Sequence, residues 1–347
     1  MTTELLPWSE TGAFPLYLAP MAGYTDIVYR QLCKEEGADI LVSEFVMSDA
    51  VILDHPKVWE TLDFTEAQRP MGIQIFGYDF SAMAQAAQII EARSAPDFID
   101  LNFGCPSEKV TCQQAGASLL KEPSRLIQMA QAVVKAVPNT PVTAKIRLGW
   151  DAANLVAHDI AKGLEQVGVR ALTIHGRTKV QGYSGEADWD HIRSVAESVD
   201  LPVIGNGSIQ NSAQVYALQH HSRVRGVMIG RAALGYPWIF REIKEHLRTG
   251  ERPPPPSLEL RWQTLLRYAN LLAARKMRQH EEGSITWMRS KLLKLTKDMP
   301  GCKKLRAEMN HIQKLEDIAP IAERHLERYR GLVLEHKDFN QHNGPAS

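Results

Sequence analysis

"LPVIGNGSIQNSAQVYALQHHSRVRGVMIGRAALGYP", residues 201–237, decides the fold. Two short apolar runs, LPVIGNG (201–207) and GVMIG (226–230), each break at glycine, and SAQVYALQHH between them is helical in character. A strand, a glycine turn, a helix and a second strand make one βα unit of a parallel sheet, because parallel neighbours need a helical crossover. Upstream the same alternation recurs through PLYLAPM (15–21), DILVSEFV (39–46), MGIQIFG (71–77), FIDLNFG (98–104), VTAKIRLG (142–149) and ALTIHG (171–176). Several runs are continuously apolar, as strands covered on both faces require. Eight such units in about 230 residues predict an α/β fold, a (β/α)8 TIM barrel. A doubly wound sheet would carry a G-x-G-x-x-G turn after its first strand, and LAPMAGYTD is not one.

The barrel is expected to fill residues 1–247, closing with GYPWIFREIKEHL (235–247) as its eighth helix. RTGERPPPPS (248–257) follows as a stiff linker, since four prolines cannot continue a helix. Residues 258–335 read as a small all-α domain by their period, and 336–347 as a disordered tail.

Net charge is zero over the 347 residues, yet 257–347 holds 17 Lys and Arg against 11 Asp and Glu. A basic end on a neutral protein marks a polyanion partner, or else a solvated helix face. MTTELLPWSETGAFP has no basic region before an apolar core and no apolar run approaches 18 residues, so neither a secretory leader nor a membrane span is expected. Cys33, Cys105, Cys112 and Cys302 are spaced neither as a disulfide framework nor as a zinc site. The expectation is a cytoplasmic monomer without metal.

In such a barrel the chemistry lies where the strands end and the βα loops begin. The residues there are Pro20, Met21 and Ala22; Ser43 and Glu44; Gln74; Asn102 and Cys105; Lys145 and Arg147; His175 and Arg177; Asn206 and Gly207; Gly230 and Arg231. Lys145 and Arg147 share a face by the two-residue strand period. Taken singly, each charged residue could be a barrel salt bridge and each glycine a turn. The glycine loops after the seventh and eighth runs, with Arg231, suit a phosphate. A lysine on the fifth strand suits the anionic edge of a reduced flavin. Spacing leaves both a flavin and a phosphorylated sugar open.

LAPMAGYTD, VSEFV, IQIFG, DLNFGCPSEKV with AGASLL, KIRLGW, TIHGRT, VIGNGSI and MIGRAALGYPWIF, in this order, resemble the tRNA-dihydrouridine synthases, most of all the bacterial B-type group. The resemblance implies an FMN-dependent oxidoreductase that uses NADPH to saturate the C5=C6 bond of uridines in folded tRNA. The family's FMN residues fall on Pro20, Met21, Ala22, Gln74, Lys145, Asn206, Gly207, Gly230 and Arg231, with His175 also at the flavin and its catalytic cysteine on Cys105. The usual Asn-Gly-Asp reads Asn206-Gly207-Ser208 here, which loses a carboxylate and keeps the backbone donors, so Ser208 stays in the cofactor set. Cys105 is expected to protonate C5, because an ordinary thiol keeps its proton at pH 7. Glu44, Asn102, Arg147 and Arg177 are expected at the substrate, and Arg289, Lys291, Lys294 and Lys297 on a tRNA-binding face of the helical domain. Cys112 reads as a loop thiol. The alternative is an FMN barrel acting on a free pyrimidine, as dihydroorotate dehydrogenases do; it has no need of a basic helical appendage.

Overall fold

The computed structural model describes residues 14–276 and 284–336. Its strands are β1 (Leu16–Leu18), β2 (Ile40–Val42), β3 (Val46–Met47), β4 (Met71–Phe76), β5 (Phe98–Asn102), β6 (Val142–Arg147), β7 (Ala171–His175), β8 (Val203–Asn206) and β9 (Gly226–Ile229). Every pairing is parallel; β1 lies between β9 and β2, and β2 also pairs with β4, so eight strands close into a barrel. Each predicted run holds a strand, and the run at 39–46 is split. β2 stops at Val42, and β3 resumes beside the end of β4, with Val46 opposite Ile75. Ser43 sits in the break, where its Oγ accepts from the Gln74 amide at 3.0 Å and stands in for a ladder carbonyl.

Side chains along each strand alternate between two environments, as the pleat dictates. Ile73, Ile75, Ile99, Leu101, Ala144, Ile146, Leu172 and Ile174 pack outward against buried helix residues such as Met83, Ile90, Leu126, Met129, Ile160 and Leu164. Tyr17, Ile40, Val42, Phe98, Ala171, Ile204 and Met228 form a separate apolar cluster that plugs the barrel. Inward polar residues adjoin this plug at Thr143 and Asp100 and continue toward the C-terminal strand ends. Gly72 faces the plug so closely that a Cβ there would lie 2.2 Å from the Phe98 ring. The Gly72→Ala variant is therefore expected to lose about 1–3 kcal/mol through overpacking, read as a lower denaturant midpoint with an unchanged slope.

The chain divides into two compact units. Among the described residues, the unit containing the barrel takes 14–209 and 215–230, and the second takes 210–214, 231–276 and 284–336. The helix Ile239–Thr249 falls in the second of these units. The reason is a buried polar tie that its flanking residues make within that unit. Tyr236 donates to Glu242, and the Arg261 guanidinium lies 5.6 Å from the Tyr236 ring and 5.8 Å from Trp238. Gly235 has no room for a side chain, since a Cβ would sit 2.0 Å from the Lys294 carbonyl oxygen.

Arg261 belongs to the helix Leu258–Lys276, which packs on Ser284–Leu295 and Ile318–Arg328. Trp262 donates through Nε1 to His325 Nδ1 at 3.1 Å, which leaves His325 Nε2 to donate to the Pro300 carbonyl at 2.8 Å. Among the described residues no helix is long and apolar enough to cross a membrane. Residues 1–13 and 337–347, and with them most of the expected tail, lie outside the described residues.

Candidate active site

Register brings the inward polar residues into one belt. Gln74 stands opposite Asp100, Asp100 opposite Thr143, Asn102 opposite Lys145, Arg147 opposite His175, and His175 opposite Asn206. Burying such groups is costly unless they satisfy one another. Gln74 Nε2 donates to Asp100 Oδ2 at 2.5 Å, and its Oε1 accepts from Asn102 Nδ2 at 2.8 Å. Thr143 Oγ1 donates to Asp100 Oδ1 at 2.6 Å. Burial pushes the Asp100 carboxyl up, against the opposing pull of the Thr143 and Gln74 hydrogen bonds. Asp100 and Thr143 were missed in the sequence, although each lies two residues before a recognised site residue on the same strand face.

Asn102 carries this network to the cysteine loop. Its Oδ1 accepts from the backbone amides of Gly104, at 3.1 Å, and Cys105, at 2.9 Å. The strand thus ends in a side-chain-capped turn that presents Cys105 at the mouth. The Cys105 carbonyl accepts from Ala117 N at 3.1 Å, which anchors the far side of the loop. Gly116, at φ +58°, passes so near that a Cβ would meet Val110 Cγ1 at 2.7 Å and the Cys105 oxygen at 3.0 Å. Burial pushes the Cys105 thiol above its ordinary pKa and outweighs the downward pull of the Ser107 backbone hydrogen bond and of Arg147 and Lys145. The thiol therefore keeps its proton at neutral pH.

Lys145 reaches across the mouth to Asn206, whose Oδ1 accepts from Nζ at 3.1 Å while its Nδ2 donates to the Met228 carbonyl at 2.7 Å. Desolvation, reinforced by the Arg147 charge, lowers the Lys145 pKa to about 8. The two arginines do something the sequence did not suggest. Arg147, 2% exposed, donates from Nε to the Gly104 carbonyl and from Nη1 to those of Thr178 and Gly182. It ties the cysteine loop to the loop after β7.

Arg177, also 2% exposed, donates to the Ser184 and Gly185 carbonyls and to Ser208 Oγ at 2.8 Å. Its Nη1 lies 3.2 Å from His175 Nε2. A guanidinium only donates, so Nε2 accepts and His175 is neutral in this contact. Ser208, in the left-handed region at φ +55°, also accepts from Ala187 N at 2.9 Å. In Ser208→Ala the Ala187 amide loses its acceptor and Arg177 Nη2 keeps only the Gly185 carbonyl, and an expected cost of about 1–3 kcal/mol is read by thermal unfolding.

The first loop is held similarly: Glu44 Oε2 accepts from Gly23 N at 2.8 Å, and Met21 N donates to Thr25 Oγ1 at 2.9 Å. Pro20 and Met21 are half-buried and Ala22 is exposed. Gly207, at φ +119°, turns the chain where a Cβ would meet Ala187 Cβ at 2.7 Å. At Gly230 a Cβ would meet nothing nearer than Ala19 Cβ at 3.7 Å. Arg231, exposed, follows it as the first residue of the second unit's long segment.

The four basic residues of the helical unit do not form one solvent-facing row. Arg289 Nε donates to the Ile312 carbonyl at 2.8 Å, and Lys291, 4% exposed, holds its ammonium 3.9 Å from the Trp287 ring centroid. Lys294 and Lys297 are exposed. Four cations at helical spacing can lie on a face that packs as well as on one that is solvated.

The dihydrouridine synthase family profile matches residues 17–329. The chain is 39% identical over 306 residues to tRNA-dihydrouridine synthase B of Pseudomonas putida, covering 86% of this chain and 87% of that protein. It is 44% identical over 249 residues to the protein of the same name from Yersinia pestis, covering 70% and 75%. Among solved structures, histamine dehydrogenase from Rhizobium sp. 4-9 superposes with a TM-score of 0.52 at 12% identity, over 90% of this chain and 62% of that one, which is a likeness of fold alone. With the profile spanning both structural units and relatives this similar over most of their length, the chain belongs to the dihydrouridine synthase family of enzymes.

Proposed function

We propose that this enzyme reduces the C5=C6 bond of uridines in tRNA, with FMN as its resident cofactor and NADPH as electron donor, in the cytoplasm. The observation that carries the reading is that the Cys105 thiol, on its Asn102-capped turn, and the Lys145 ammonium, tied to Asn206, stand at one barrel mouth. The names of the relatives, tRNA-dihydrouridine synthase B, support tRNA as substrate.

The donor set fits a flavin. An ammonium offers three protons, and the Asn206 bond uses one. Gly230 leaves the backbone open at the end of β9, which suits a phosphate, with Arg231 next in sequence, while Gly207 makes the tight turn after β8. Pro20, Met21, Ala22, Gln74, Lys145, His175, Asn206, Gly207, Ser208, Gly230 and Arg231 form the proposed cofactor set. In it Gln74, Asn206 and Ser208 act by fixing their neighbours. FMN, when bound, supplies the hydride that adds to C6 of the uracil. Lys145 balances negative charge at the mouth, where the low dielectric strengthens its effect. Cys105 then gives its proton to C5 and recovers one from solvent. Asn102 and Arg147 keep that thiol in place through the Gly104–Cys105 turn, and Arg177 keeps the β7 loop over the site.

A uridine in folded tRNA is stacked, so it must be extruded into the mouth before Cys105 meets it. Exposed cations of the helical unit, Lys294 and Lys297 among them, hold the tRNA backbone, and binding of this kind weakens steeply with salt. Incubation with an unmodified tRNA transcript, FMN and NADPH, followed by mapping of dihydrouridine, tests the whole reading. Reduction of free uracil or orotate with no dependence on tRNA would overturn it in favour of a free-pyrimidine enzyme.

A further inference from the structure

We propose that Lys121, Trp150 and Lys179 form a phosphate clamp on the barrel rim that takes the RNA backbone beside the reacting nucleotide; this rests on tRNA being the substrate. The three residues come from three loops of the mouth. Lys121 ends the 3-10 turn Gly116–Lys121, whose Ala117 amide anchors the Cys105 loop. Trp150 lies three residues past Arg147 after β6, and Lys179 two past Arg177 after β7. Lys179 N donates to the Gly149 carbonyl at 3.0 Å and Val180 N to that of Trp150 at 2.9 Å, so the second and third loops are locked together.

The side chains converge on one indole. The Lys121 ammonium lies 3.7 Å from the Trp150 ring centroid and that of Lys179 lies 4.5 Å from it. Neither ammonium forms an ion pair with a carboxylate among the described residues. Asp151, next to Trp150, accepts from Ala153 N, Asn154 N and Asn154 Nδ2 and is committed to its own turn, and Glu122, which follows Lys121, is exposed. An aromatic face attracts a cation without neutralising it. Each ammonium keeps protons that an anion at the rim can accept. Lys121 is exposed and Val180, on the same loop as Lys179, is 63% exposed, so the cluster opens to a polymer and not to a closed small-molecule pocket. A phosphodiester has the required charge, and its ribose can lie on the apolar rim.

The test uses the full-length holoenzyme carrying Lys121→Gln and Lys179→Gln, with an unmodified tRNA transcript titrated by fluorescence anisotropy at several salt concentrations. Affinity at about 0.1 M salt is expected to fall roughly tenfold, and the slope of log Kd against log salt to become shallower by about 1.5, the value for two lost phosphate contacts. The single-turnover rate at saturating tRNA and the KM for NADPH should stay unchanged, and Lys121→Arg with Lys179→Arg should retain wild-type affinity. Unchanged affinity and salt slope in a glutamine variant that melts at the wild-type temperature would overturn the clamp. So would a raised KM for NADPH with tRNA binding intact, which would give the cluster to the phosphate of the nicotinamide cofactor. Dihydrouridine formation by the wild-type enzyme on the same transcript reports separately on the substrate, so the two failures are distinguishable.

Discussion

Cys105→Ala is expected to lower dihydrouridine formation by about 10²–10⁴-fold, the usual contribution of a positioned general acid, while NADPH still reduces the bound flavin. The asymmetry follows from where the thiol sits. It is on the β5 loop, held by Asn102 Oδ1 and the Ala117 amide, and its removal disturbs neither the Gln74–Asn102–Asp100 network nor Lys145. Only the proton to C5 is lost. Burial raises the Cys105 pKa despite the two cations near it, so the group acts as an acid across the neutral range and fails only as the thiol titrates at high pH. Stopped-flow measurement of flavin reduction, alongside single-turnover assay of the RNA product, separates the two half-reactions. Equal product rates in variant and wild type would reassign the proton donor. Asn102→Ala should produce a milder version of the same defect, because it frees the turn and keeps the thiol.

Lys145→Met is expected to act in opposite directions on function and stability. Turnover should fall about 10²–10³-fold, the cost of removing one preorganised charge from a developing anion, and FMN should be retained less well. The flavin-free protein, by contrast, should become more stable at pH 7 by something on the order of 3 kcal/mol, since desolvation lowers this lysine from 10.5 to about 8. The sign follows from linkage. Below pH 8 both folded and unfolded chains carry the proton, and the folded one bears the burial penalty. Between about pH 8 and 10.5 the unfolded chain binds more protons, so the wild-type protein without flavin gains stability as pH rises through that window. In Lys145→Met that pH-dependent gain disappears. Denaturant unfolding at pH 7, 9 and 10.5 reads both effects.

Clamping arginines are the clearest case of residues whose place was legible and whose work was not. Arg147 and Arg177 stand out in the sequence as charges on or beside apolar strands, and both lie at the mouth. Their donors, however, go to the carbonyls of Gly104, Thr178, Gly182, Ser184 and Gly185, which are loop backbone with no compositional mark. Ser208 shows the same limit from the other side. Its missing carboxylate reads as a loss at the cofactor, and its hydroxyl turns out to be the acceptor that Arg177 and Ala187 share.

What the sequence by itself determined is the barrel, the order of its strands and the ring of polar residues at their ends, Cys105 and Lys145 among them. These follow from neighbours in the chain: a two-residue strand period, a glycine where the strand must turn, a helix long enough to return. Tertiary structure alone decided that Asn102 caps the cysteine turn and that Lys291 packs against Trp287. It also decided that the helix Ile239–Thr249 joins the helical unit, and that Lys121 and Lys179 meet at Trp150. Lys145 and Asn206 lie 61 residues apart, and Arg147 and Gly104 lie 43 apart. A hydrogen bond depends on position within a few tenths of an ångström, and at such separations only the closed barrel sets that position.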